Sequence, residues 1–156
     1  MINIIQPYSN ALNKLKNAAV TKVLSNVPPP NAKTTADRKG SDKTLVDSGE
    51  MYGAIDYRIK ADEGMLKGEV GIFEEEIAKR AAANEFGVAW EDRPGKGRRK
   101  REEYYGAEPT EVSSTAENRA WFIPPRPFLR PSFDENVDRV AEEMAEEIFK
   151  QIEDQW

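Results

Sequence analysis

Tyr57-Arg58-Ile59-Lys60-Ala61-Asp62-Glu63-Gly64-Met65-Leu66-Lys67-Gly68-Glu69-Val70-Gly71-Ile72-Phe73 is the stretch on which the fold turns. Residues 57–61 alternate apolar and polar and predict a strand. Asp62-Glu63-Gly64 predicts a turn. Residues 65–73 predict a second strand carrying Leu66, Val70 and Ile72, so the whole is an antiparallel hairpin. Helical patterns lie on both sides of it. Residues 74–86 place three glutamates in a first turn, where the helix dipole favours anions, with Ile77, Ala81 and Ala82 inward and Gly87 as terminator. Upstream, Leu12, Leu15, Ala19, Val23 and Val27 recur every three or four residues and predict a helix over 9–27. Ser9 or Asn10 would cap it and Pro28-Pro29-Pro30 would stop it.

Asp47-Ser48-Gly49-Glu50 has the form of a capping box before a short helix with Met51, Ala54 and Ile55 inward. Arg119 to Ile123 suits a further strand. Downstream, Val137, Val140, Ala141, Met144, Ile148 and Ile152 predict a long C-terminal helix over about 134–155. Its other face carries Glu142, Glu143, Glu146, Glu147 and Glu153, a pattern expected of a solvated face rather than a metal site. The expected class is α+β: one domain over 1–156, with a small antiparallel sheet packed against an N-terminal helix, a middle helix and the long C-terminal helix. Polar, aperiodic stretches predict mobile loops at about 28–43 and 90–117.

Composition narrows the chemistry. The 156 residues are 38% hydrophobic and 33% charged, and the chain contains neither cysteine nor histidine. Without cysteine there are no disulfides and no thiolate chemistry, which suits a reducing compartment. Without histidine the usual general base, the commonest metal ligand and every Ser-His or Cys-His nucleophile pair are missing. The expectation is a protein that is not an enzyme and holds no cofactor. A hydrolase working through carboxylates alone would need a spacing that sequence does not reveal. Gly95-Lys96-Gly97 is too short for a phosphate loop and follows no strand. No apolar run approaches the roughly 18 residues of a membrane helix, and Met1-Ile2-Asn3-Ile4-Ile5 lacks the form of a secretory signal.

Two segments carry the functional expectations. Pro124-Pro125-Arg126-Pro127-Phe128-Leu129-Arg130-Pro131-Ser132-Phe133-Asp134 has too many prolines for a helix interior or a central strand. It predicts an extended strip, with Phe128, Leu129 and Phe133 as anchors and Arg126 and Arg130 as guanidinium forks, docked on another surface. Phe128, Leu129 and Phe133 would cover the core at the same time. Arg126, Pro127, Phe128, Leu129, Arg130 and Phe133 are therefore the candidate interface, the two arginines pairing with acids of this subunit or the next. The second segment is the basic loop Arg93, Lys96, Arg98, Arg99, Lys100 and Arg101, which contains no anion. It would meet DNA or an acidic protein face, or remain a solvated loop. The net charge of −5 despite those six cations makes the rest of the chain markedly acidic, unlike a free nucleic-acid-binding domain.

Four motifs occur in order: Asp47-Ser48-Gly49-Glu50-Met51-Tyr52-Gly53-Ala54-Ile55, Gly68-Glu69-Val70-Gly71-Ile72, Ala81-Ala82-Ala83-Asn84-Glu85-Phe86-Gly87, and Pro125-Arg126-Pro127-Phe128-Leu129-Arg130-Pro131-Ser132-Phe133. This order resembles the neck and tail-completion family of long-tailed bacteriophages, the group that includes lambda-type minor tail protein Z. The likeness spans about residues 44–150. Pro125 stands where a small residue is usual, and 90–117 is longer and more basic than the family pattern. The resemblance implies a virion structural protein of the head–tail junction, made in the host bacterial cytoplasm. It implies a homo-oligomeric ring, hexameric or dodecameric with the hexamer preferred, that joins or completes the tail. Its partners would be the neighbouring connector and tail-tube or terminator proteins, with non-specific contact to packaged DNA and no membrane. A tail-tube terminator, another tail assembly factor, or a DNA-binding accessory protein acting through the basic loop are the alternatives.

Overall fold

The computed structural model describes residues 3–62, 64–92, 101–105 and 119–155. The hairpin forms as expected. β1 (Ile55–Asp62) pairs antiparallel with β2 (Met65–Ile72) over the full length of both, from Ile55 opposite Ile72 to Asp62 opposite Met65. Gly64 supplies the positive φ that so tight a turn needs.

The α+β expectation holds, and α1 is its axis. This helix (Ile5–Leu24) buries Ala11, Leu12, Leu15, Ala19 and Val23 along one face. It starts earlier than the apolar stripe predicted. Pro7 sits in the first turn, where its missing N–H has no helical partner in any case. Asn3 Oδ1 accepts the Gln6 N–H at 3.3 Å, and the expected caps have other partners. Ser9 meets the Tyr57 hydroxyl at 2.9 Å and Asn10 donates to Glu147 at 3.1 Å. Beyond α1, Asn26 adopts a left-handed φ of 67°, which asparagine tolerates better than most residues, and its side chain accepts the Thr44 N–H at 2.8 Å. Thr44 Oγ1 donates back to the Val27 carbonyl at 2.7 Å.

Three expectations about local structure are corrected. The stretch 28–43 is not wholly a loop, because Lys33–Lys39 forms a short helix, α2, with no buried residue. The capping box does not form. α3 (Glu50–Gly53) begins after Gly49 with no side-chain cap, and Glu50 instead takes Arg80 at 3.0 Å. The region 90–117 contains strands. β3 (Val88–Asp92) runs between β4 (Arg101–Tyr105) and β5 (Arg119–Ile123) in a second antiparallel sheet of order β4-β3-β5. Glu91-Asp92 and Arg101-Glu102-Glu103 are poor strand formers singly, and pairing with neighbours decided the outcome.

α4 (Glu75–Phe86) ends at Gly87, whose φ is 71°. A Cβ there would also approach the Ile123 carbonyl and Pro125 to 3.0 Å, so glycine is required on two counts. The C-terminal helix is two helices. α5 (Leu129–Asp134) is short, and α6 (Val137–Glu153) follows after a two-residue turn. The strip is accordingly non-helical only through Phe128, which already turns toward the helix with ψ −36°. Pro131 does not prevent α5 because it lies in the first turn, before any intrahelical donor is needed. α6 runs antiparallel to α1. Lys22 meets Glu135 at one end and Asn3 meets Gln151 at the other, with Ala11, Leu15, Val140 and Met144 packed between. The main core joins Ala19, Val23, Val27, Leu45, Ile55, Ala81 and Phe128.

Candidate functional site

The proline strip is placed by two backbone segments. The Arg126 N–H donates to the Asn84 carbonyl, next to the end of α4. The Arg126 side chain points the other way. Its Nε donates to the Pro29 carbonyl at 2.7 Å and its Nη2 to the Pro30 carbonyl at 3.3 Å. Only 6% of Arg126 is exposed, and no carboxylate pairs with it among the described residues. Burial alone pulls its pKa down from the ordinary guanidinium value. The expected acid partner is thus replaced by two proline carbonyls, which have lone pairs to offer and no N–H of their own. This guanidinium clamps the strip to the 28–30 segment and is not presented to a neighbour.

Glu85 fixes the next three residues. Its Oε2 accepts the N–H groups of Phe128 at 2.8 Å and Leu129 at 3.0 Å, and its Oε1 accepts that of Arg130 at 3.0 Å. These are orphan donors at the start of α5, and the carboxylate also lies at the positive end of that helix's dipole. The helix lacks a cap from its own sequence, and Glu85 supplies one from α4.

The candidate interface residues divide as a result. Arg126 and Phe128 turn inward, with Phe128 only 1% exposed in the main core. Leu129 is half-buried. Pro127 and Arg130 are exposed, and Phe133 is 44% exposed. Arg130 makes a loose 3.7 Å pairing with Asp134. In the basic loop, Arg93, Lys96, Arg98, Arg99 and Lys100 lie outside the described residues. Arg101 opens β4 opposite Asp92.

Beside the strip lies an apolar groove of about 480 Å³. Leu15 and Ala19 of α1 form its floor together with Val70 and Ile72 of β2, and Ala78, Ala81 and Ala82 of α4 form one wall. Leu129 and Phe133 of α5 form the other, and Phe86, 58% exposed, stands at the rim. The sequence reading found the strip but not this groove or the part of Glu85 and Phe86 in it. The signal was the alanine repeat of α4: side chains that small cannot fill the space between a helix and its neighbours.

A separate polar seam joins α1 to α6. Lys14 meets Glu143 at 2.9 Å and Glu147 at 3.4 Å, and Arg139 meets Glu143 at 2.6 Å. The hydrogen bond from Lys14, then that from Arg139, lowers the Glu143 pKa, and Glu143 in turn raises that of Lys14. Two glutamates of the expected solvated face are therefore partners of α1. Among the described residues no group of three or more acidic side chains is placed to hold a metal ion, and no helix is long and apolar enough to cross a membrane.

In comparisons with known proteins, no family model matches the chain. No curated protein and no solved structure matches it either.

Proposed function

We propose that this chain is a structural subunit of the head–tail junction of a long-tailed bacteriophage, acting in an assembled ring to join or complete the tail. The observation that carries this reading is the bond between Glu85 and the N-terminus of α5. It ties together two of the four motifs that carry the resemblance, the helix end Asn84-Glu85-Phe86-Gly87 and the strip Pro125 to Phe133, the most specific of the four. Their joint product is an apolar groove with exposed aromatic residues at its edge, a docking surface and not a reaction site. The role is assembly, without catalysis or a cofactor, and the partners are further copies of the chain and the adjoining connector and tail proteins. The protein would reside in the virion neck. Deleting it should leave DNA-filled heads and separate tails that fail to join. Normal infectious particles from the null mutant would refute the reading, and so would empty heads alone, which would indicate an earlier step.

A further inference from the structure

We draw no further inference here: the strongest candidate, the apolar groove of about 480 Å³ between α4 and α5, carries nothing, because apolar side chains stand exposed at the hairpin tip, at both ends of α1 and on α6 alike and nothing in the structure shows what covers it.

Discussion

The carboxylate of Glu85 accepts the backbone N–H of Arg130 at 3.0 Å, so a side chain from the end of one helix caps the start of another 45 residues away. Glu85→Ala would strip three donors at the α5 terminus of their acceptor at once. Hydrogen bonds to a charged group and unsatisfied buried donors each weigh about 1–3 kcal/mol, discounted here because the site is only part-buried. The expected loss is roughly 2 kcal/mol in denaturant unfolding. Glu85→Gln should lose less, since one oxygen remains. An unchanged midpoint for Glu85→Ala would show that the cap contributes nothing.

The stability carried by α6 should concentrate at Val140, which is 2% exposed and touches Ala11 and Leu15. Val140→Ala should cost about 1.5–3 kcal/mol. Ile148, which the apolar stripe made equally important, is only partly buried, and Ile148→Ala should cost less. Melting temperatures of the two variants would decide the order.

Gly87→Ala should destabilise by about 1–3 kcal/mol, because φ 71° with ψ 160° is a backbone region essentially reserved for glycine. The contact of that Cβ with the Ile123 carbonyl adds to it. Gly40→Ala, at φ 64° and ψ 20° with open space around it, should cost less, about 1–2 kcal/mol. If the two cost the same, neither the backbone region of Gly87 nor the crowding there matters.

The Lys14–Glu143 pair predicts a pH dependence. The Glu143 pKa is depressed in the folded chain, so the unfolded chain binds more protons in mild acid. Its contribution is therefore complete above the ordinary carboxylate value near 4.3 and disappears as pH falls through the lower folded value. Lys14, raised, contributes fully below its ordinary value and loses that contribution as pH rises through the higher folded one. Glu143→Gln should flatten the acid limb of melting temperature against pH. The same slope in both proteins would mean that other carboxylates set it.

Reversing Arg98, Arg99, Lys100 and Arg101 to glutamate should impair head–tail joining if the basic loop meets an acidic face or DNA in the assembly. Full joining in that variant would identify the loop as a solvated insertion. A salt-dependent isotherm on duplex DNA, abolished by the reversal, would favour DNA as the partner.

Because alternation and helical periodicity are properties of neighbouring residues, local pattern alone determined the existence of the hairpin, found at 55–72, of the helix found at 75–86, and of the α1 stripe from Leu12 to Val23, though α1 ends at Leu24, short of the predicted Val27. It also excluded cysteine and histidine chemistry outright. It did not determine what Arg126 would touch. A guanidinium in a proline-rich strip suggests an acid, but the folded chain brought the carbonyls of Pro29 and Pro30 to it across 96 residues and more. The same holds for β3 and β4, whose charged residues became strands through pairing with distant neighbours. Glu85 is the clearest case. In the sequence it is one glutamate among many, and its role as the cap of α5 exists only because packing set the end of α4 against the strip. Periodicity records which face of an element is apolar. Which element that face meets is decided by closing long loops around a shared core, and this only the tertiary structure contains.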